Sequence, residues 1–337
     1  MEKKPNAFKK LMAKRGWGQC ITVFFGLIVL IAVFTFINPN FIGTRNIGNL
    51  LRQIAPYLIV GIGQGYVCIT GNIDLSIGSV LGMSCMMSAT LMCHGVNPIL
   101  ASLITMVACL LVGVINGTLV ANCKLPPFIA TLGTMTICRG LAQLVNNNKN
   151  TDAIEGVLGE SAKAFREFFY QGHIGVLYNT FIIAIVVWAI FAFVLARTRT
   201  GRHLYAVGSN MEASKLSGVN VNLTIIKAYL ISSFCAGLVG LIQCAQTGTG
   251  VMDAGMSYEM YAVAAAVIGG ISTLGGQGIL LAVVVGASVW AVLYNGLQFA
   301  GAPVALRNII IGIIVIISVL SDVVVRNGNL FKRKSKG

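Results

Sequence analysis

The segment GNIDLSIGS, residues 71–79, places a single carboxylate in an otherwise apolar region. Asp74 is the only Asp, Glu, Lys or Arg between Arg52 and Lys124. A carboxylate in such a region can relay protons, line a path for a polar solute, contact a partner protein, or cap a helix whose first N–H groups lack acceptors. A proton relay is disfavoured because no second ionisable group accompanies Asp74. The other three interpretations stay open, and their candidate residues are Asn72, Asp74 and Ser76.

A second group of small polar side chains lies in the segment PPFIATLGTM, residues 126–135. Thr131 and Thr134 can either bond the backbone of their own helix or line the same path. Catalytic chemistry has less support, because the three His residues are scattered, the nine Cys residues form no CxxC pair, and no GxxxxGK[ST] phosphate loop occurs. The sequence therefore predicts no catalytic site, no metal site and no cofactor in this chain. If ATP drives its function, ATP and Mg²⁺ are bound by separate subunits.

The elements that position these residues follow from composition. Hydrophobic residues make up 56% of the 337 residues and charged residues only 10%, against roughly 25% in soluble proteins. The apolar residues fall in blocks of about 17–24, the length that crosses the hydrocarbon of a bilayer as a helix. The net charge of +14 comes from basic residues at the ends of these blocks, so it indicates membrane topology and not a nucleic-acid partner. The fold class expected is an all-α polytopic membrane protein in the lipid bilayer.

Ten transmembrane helices, called spans 1 to 10, are predicted in a single transmembrane domain over 1–337. Their expected positions are 20–37, 54–70, 77–93, 98–121, 127–145, 174–196, 227–246, 259–271, 279–297 and 304–325. Spans 2–5 and 7–10 are candidates for the two halves of an inverted repeat, a common arrangement in transporters.

Charge asymmetry gives the orientation. With the N-terminus in the cytoplasm, 17 of the 24 Lys and Arg residues fall on the inner side and seven on the outer side. The positive-inside rule thus predicts both termini in the cytoplasm. Two basic cytoplasmic tails are expected, 1–17 and 326–337. A polar loop at 146–172 lies outside and a basic segment at 197–226 lies inside.

The inner segment 197–226 contains a short helix. Ser209 or Asn210 can cap its start, Glu212 lies in the first turn where the helix dipole favours an acid, and Gly218 ends it. A helix of one or two turns between membrane spans lies on the lipid surface or docks on another protein. The region therefore reads as either a basic surface loop or a docking element.

Four ordered blocks carry a family resemblance: GNIDLSIGS, PPFIATLGTMTICRGLA, AVGSNMEASKLSGVNV and SYEMYAVAAAVIGGISTLGGQG. Over residues 20–325 the chain resembles the ABC importer permeases of the ribose, galactose and xylose type. The third block resembles their coupling loop, with Ser214 in place of the second Ala and without the usual Leu-Pro. In the first block Asn72 replaces the second Gly of the family's Gly-Gly-Ile-Asp-Leu-Ser.

The resemblance implies the permease subunit of an ATP-driven monosaccharide importer in the bacterial inner membrane. It implies as partners a second permease subunit, identical or not, two ATP-binding subunits at the cytoplasmic face, and an external solute-binding protein. The residues that would couple to the ATPase are Glu212, Ala213, Ser214, Lys215, Leu216 and Gly218. The competing functions are an ion-coupled secondary transporter of a small polar solute and an ABC permease for nucleosides or branched-chain amino acids.

Overall fold

The computed structural model describes residues 17–327, so nearly all of the two predicted basic tails lies outside the described residues. Helices dominate this range. They are α1 (Trp17–Ile37), α2 (Thr44–Ile69), α3 (Ile77–Cys93), α4 (Pro98–Ala121), α5 (Pro127–Leu144), α6 (Ile154–Leu158), α7 (Glu160–Arg166), α8 (Asn179–Arg197), α9 (Arg199–Ser209), α10 (Met211–Leu216), α11 (Val221–Thr247), α12 (Tyr258–Gly269), α13 (Leu280–Phe299) and α14 (Val304–Asn327). A 3₁₀ turn (Pro39–Ile42), a π turn (Glu167–Gln171) and an antiparallel hairpin of β1 (His173–Ile174) and β2 (Leu177–Tyr178) complete the described chain.

The polytopic all-α architecture is confirmed, and each predicted span corresponds to one of the ten long helices α1–α5, α8 and α11–α14. Five helices of the described range are long and apolar enough to cross a membrane, namely α1, α4, α8, α11 and α13. Helices α3, α12 and the first part of α14 are apolar but shorter. The bounds of α3 and α4 are those predicted from hydropathy.

Three predicted helix starts are wrong, two because polar residues belong to the helix and one because a hairpin precedes it. Helix α2 begins at Thr44, ten residues before the predicted span, since the polar run before residue 54 is helical too. Helix α8 begins at Asn179 instead of 174, because 173–178 turn back as the hairpin. Helix α11 begins inside the predicted segment 197–226, where the Asn220 side chain accepts a hydrogen bond from the N–H of Leu223 and caps it.

The packing of the long helices supports the inverted repeat. Helix α11 packs against α2, α3 and α4, and α2 packs in the same manner against α11, α12 and α13. Helix α3 packs against α4 and α5, as α12 does against α13 and α14. Exchanging α2–α5 with α11–α14 thus reproduces the neighbour relations, with α2 and α11 at the centre.

The two halves run in opposite directions. Helix α2 begins beside the end of α13, where Asn46 donates to Asn295 at 3.0 Å, and ends where Ile69 O accepts from Gly276 N. Helix α11 begins where Lys124 contacts Asn222 and ends beside the loop before α6. The breaks 70–76 and 248–257 therefore enter the bundle from opposite ends. We call the end that carries α9 and α10 the coupling end, and the opposite one the loop end.

Close approach of the central helices depends on small residues. A Cβ at Gly63 of α2 would lie 2.9 Å from the Ser232 Cα of α11. A Cβ at Gly240 would lie 2.5 Å from the carbonyl oxygen of Leu81. Small side chains let helices in a membrane pack at backbone distance, which explains part of the high glycine content.

Candidate functional site

Asp74 lies inside the bundle, in the break between α2 and α3, and only 1% of its surface is exposed. Its Oδ1 accepts hydrogen bonds from the backbone N–H of Ser76 at 2.9 Å and from the Ser76 hydroxyl at 2.6 Å. Its Oδ2 accepts from the Ser232 hydroxyl of α11 at 2.6 Å. The Tyr229 hydroxyl, one turn earlier on α11, donates to the carbonyl of Ile73 at 3.0 Å. The break is thus fastened to the central helix α11.

The hydrogen-bond chain continues from Asp74 to two further helices. Asn116 of α4 donates from Nδ2 to the Ser76 hydroxyl oxygen at 2.9 Å. Thr134 of α5 donates to Oδ1 of Asn116 at 2.7 Å. All five side chains of this chain, called here the Asp74 network, are buried: Asp74, Ser76, Asn116, Thr134 and Ser232. Because buried polar groups must be paired, the network fixes α4, α5 and α11 around the break.

The Asp74 network bears on the interpretations of the sequence. Asp74 bonds the N–H of the residue two places on, and Ser76 occupies the cap position of α3 with no side-chain cap bond. Asn72 donates to the Thr70 hydroxyl at 2.8 Å, and Thr131 donates to the carbonyl of Pro127 at 2.8 Å. The geometry is that of an anchored helix break. Asn116 and Ser232 have no signal in the sequence beyond being polar residues in apolar helices.

The short helix in the coupling segment forms as the sequence indicates. Asn210 caps α10 by accepting from the N–H of Ala213 at 2.9 Å, and Gly218 follows the helix at a φ of 79° that favours glycine. Ser214 faces inward, and its hydroxyl donates to the carbonyl of Asn210 at 2.7 Å. The remaining coupling candidates are exposed: Glu212, Ala213, Lys215, Leu216 and Gly218. Leu216 is 89% exposed, which leaves an apolar side chain in water unless another surface covers it.

Helix α9, which the sequence did not predict, connects α10 to the bundle. Thr198 caps it by accepting from the N–H of Gly201 at 3.4 Å. At its far end Gly208 lies directly against the carbonyl of Ile69, at the end of α2, and no Cβ would fit there. The same carbonyl accepts from Gly276 N at 2.9 Å.

The glycine-rich segment 269–278 completes this contact. Gly275 and Gly276 have φ values of 87° and 70°, and a Cβ at Gly275 would lie 2.7 Å from Gly208 O and 2.9 Å from Gly71 N. Tyr205 of α9 donates from its hydroxyl to Gly278 O at 2.7 Å, and burial raises the pKa of Tyr205 to about 12. We call Gly71, Gly208, Gly275 and Gly276 the glycine joint. It brings the coupling segment against the break that carries Asp74.

The loop-end segment 146–172 contains a half-buried ion pair, and one of its members also bonds the bundle. Arg166 of α7 pairs with Glu155 of α6 and donates from Nε to the carbonyl of Ala245 at 3.0 Å. A second pair, Lys163 with Glu160, is exposed.

Within 17–327 no group of three or more His, Cys, Asp or Glu side chains is arranged to hold a metal ion.

Comparison with known proteins places most of the chain in one group of transporters. A family model described as "Branched-chain amino acid transport system / permease component" matches residues 46–319. The chain is 35% identical over 327 residues to the D-allose transport system permease protein AlsC of Escherichia coli, covering 95% of each chain. It is 33% identical to the ribose import permease protein RbsC of Bacillus subtilis, covering 90% of this chain and 92% of the relative. It is 33% identical to the galactose/methyl galactoside import permease protein MglC of E. coli, covering 88% and 91%. No solved structure matches the chain.

Proposed function

The chain belongs to this family of ABC importer permease components, and from that premise we propose that it is the membrane-spanning subunit of an ATP-driven monosaccharide importer. The observation that carries the sugar class is the identity of 33–35% over about nine tenths of the chain to permeases named for allose, ribose and galactose. The amino-acid description of the family model covers a wider group. Permeases of this family are multi-pass inner-membrane proteins that work with ATPase and binding-protein partners.

The finer architecture belongs to the proposal. Two permease subunits, identical or not, pair in the membrane, and two ATP-binding subunits hold ATP and Mg²⁺ at the coupling end. The chain itself catalyses no bond making. The coupling end faces the cytoplasm, as do both termini, and an external binding protein delivers the sugar to the loop end.

The coupling mechanism follows from the exposed face of α10. Leu216 and Ala213 supply apolar surface to a cleft on the ATPase, while Glu212 and Lys215 supply charge at its rim. When ATP draws the two ATPases together, α10 moves with them. Helix α9 transmits this motion, because Gly208 touches the end of α2 without any intervening side chain. The transmembrane helices then reorient, and the sugar passes to the cytoplasmic side.

Reconstitution of the purified chain in liposomes tests the function. Without its ATPase partners, the chain is expected to move no ribose, allose or galactose, with or without a proton or sodium gradient. Sugar uptake by the chain alone, driven by an ion gradient, would establish the secondary-transporter alternative instead.

The coupling surface has its own test. Glu212→Lys combined with Gly218→Asp should abolish co-purification with the ATPase subunits. Glu160→Lys is the control, since this glutamate is also exposed but lies at the loop end. Unchanged co-purification of the double variant would refute the docking role of α10.

A further inference from the structure

Two charged side chains lie in the membrane-embedded part of the bundle and take no part in the Asp74 network. Arg139 is the thirteenth residue of α5, and Glu259 is the second residue of α12. At 1.5 Å per residue, each lies about 15–18 Å along its helix from the coupling end. Burying a charged side chain at such depth in a membrane costs free energy, and charged residues there commonly mark solute or ion pathways.

Both charged groups lie against one face of helix α3. Gly78 and Gly82 lie four residues apart, so they are stacked one turn apart on that face. A Cβ at Gly78 would overlap Oε2 of Glu259, and a Cβ at Gly82 would lie 2.9 Å from Nη1 of Arg139. The two glycines form a groove in which a carboxylate and a guanidinium lie on adjacent turns.

Among the described residues, the hydrogen-bonding capacity of this pair is only partly used. Arg139 donates from Nη1 to the carbonyl of Ala254 at 2.6 Å, and its guanidinium carries further N–H donors. Oε2 of Glu259 is shielded and has no hydrogen-bond partner among the described residues. An unpaired carboxylate oxygen that is shielded from water is unfavourable, so a polar ligand or a rearrangement that pairs it is favoured.

The surface beside the pair cannot be a lipid-facing surface without a large penalty. Met256 and Met260, which flank Glu259 on the chain, are 65% and 48% exposed, and Arg139 and Glu259 are themselves only partly buried. A partly exposed charged pair at this depth would have to be desolvated in hydrocarbon. This face therefore meets water, a polar solute or a polar surface of the second permease subunit.

We propose that Arg139 and Glu259 contact the solute during passage, as a donor and an acceptor for the hydroxyl groups of an uncharged polyol. A carboxylate accepts hydroxyl hydrogen bonds and a guanidinium donates them, so together they match a molecule whose groups do both. The site rests on the proposed importer function and assigns solute-contacting residues to it. Helices α5 and α12 belong to the two halves of the repeat, so relative motion of the halves opens and closes the pair.

The first experiment uses the assembled importer in liposomes, with ATP inside and the loaded binding protein outside. The probe is the best imported of ribose, allose and galactose, together with a deoxy analogue of it that the binding protein still binds. Glu259→Gln and Arg139→Gln should each lower import of the parent sugar at least about tenfold, which corresponds to about 1.4 kcal/mol. Both variants should also narrow the difference in import rate between the parent sugar and its deoxy analogue.

The control is Asp253→Asn, an exposed aspartate in the same break as the start of α12, which should leave import unchanged. An equal reduction in the import rates of both sugars would mean that Arg139 and Glu259 only stabilise the packing of α5 and α12. Unchanged import would mean that they have no role in transport. Either result overturns the proposal. If the unaltered complex imports no sugar at all, it is the proposed function that fails.

A second measurement does not depend on stable Glu259 or Arg139 variants. In a background without the nine native cysteines, Met256→Cys and Met260→Cys should react with a membrane-impermeant, water-soluble maleimide, and the sugar should slow the reaction. Leu111→Cys in the middle of α4, where Leu111 is 57% exposed, is the lipid-facing control and should not react. Unreactive cysteines at both methionine positions would contradict a wet face and overturn the assignment.

Discussion

Replacing Asp74 by Ala or by Asn separates an anchoring role from a solute-contacting role. Asp74 accepts three hydrogen bonds, two from Ser76 and one from Ser232. In Asp74→Ala, the Ser76 N–H is left without an acceptor in a buried site, which costs about 1–3 kcal/mol. The Ser232 hydroxyl can turn to its own helix, so it recovers part of its bond. With the two lost hydroxyl bonds at about 1 kcal/mol each, we expect a total of about 3–5 kcal/mol.

Asp74→Asn keeps an acceptor for the Ser76 N–H, and its amide can donate to the Ser232 hydroxyl oxygen. We expect a loss of only about 1 kcal/mol, because the geometry survives and only the charge assistance is lost. Since Asp74 is sealed from the surface, Asp74→Asn should also retain import.

Thermal unfolding of the detergent-purified variants measures these differences. Asp74→Ala should lower Tm by roughly 5–10 °C and Asp74→Asn by less than about 3 °C. Asp253→Ala, in the break at the opposite end and exposed, should leave Tm unchanged. Equal Tm values for the Ala and Asn variants would refute the reasoning from hydrogen bonds. Lost import in a stable Asp74→Asn complex would refute the anchoring role.

The remaining predictions concern the coupling end and the loop end. Gly208→Ala should retain ATPase docking but reduce sugar-stimulated ATP hydrolysis severalfold, because the new Cβ forces α9 away from α2. Gly140→Ala is the control, since a Cβ there meets open space and should leave ATP hydrolysis unchanged. An equal reduction of ATP hydrolysis in both variants would contradict the role of the glycine joint. Arg166→Gln should loosen 154–171 by about 1–2 kcal/mol, seen as faster hydrogen exchange there, whereas Lys163→Ala on the exposed pair should change exchange little. The pKa of Tyr205 is raised to about 12 by burial, so the neutral form stabilises the folded state fully below about pH 10 and this contribution is lost as the pH rises from 10 to 12. In Tyr205→Phe, the free energy of unfolding should no longer fall for this reason between pH 10 and 12. An identical pH dependence of unfolding in Tyr205→Phe and the unaltered protein would exclude a contribution from Tyr205.

The sequence predicts most of the membrane helices because hydrocarbon imposes one simple rule on length and polarity. Helices α3 and α4 begin and end at the predicted residues. The first ten residues of α2 escape prediction because they are polar and lie beyond the apolar block. Helix α9 escapes for the same reason, since its residues RTGRHLYAVGS carry no apolar block and it forms against the bundle.

The site was predictable only in part. The isolation of Asp74 and the pattern around Glu212 are local, so the sequence alone draws attention to them. The Asp74 network is not local, because Asn116 bonds Ser76 and Ser232 bonds Asp74 from helices 40 and 158 residues away along the chain. The contact of Arg139 and Glu259 with two glycines of α3 likewise depends on how distant helices pack. In the sequence those glycines resemble the many others in this chain.

Uptake by the full complex tests the central claim most directly. Proteoliposomes that contain this chain, its permease partner and two ATPase subunits are loaded with ATP and supplied with binding protein and radiolabelled ribose, allose or galactose outside. We predict that one of these sugars accumulates inside against its gradient, and only when ATP, Mg²⁺ and the binding protein are all present. Accumulation of the sugar without ATP, at the expense of an ion gradient, would contradict the account.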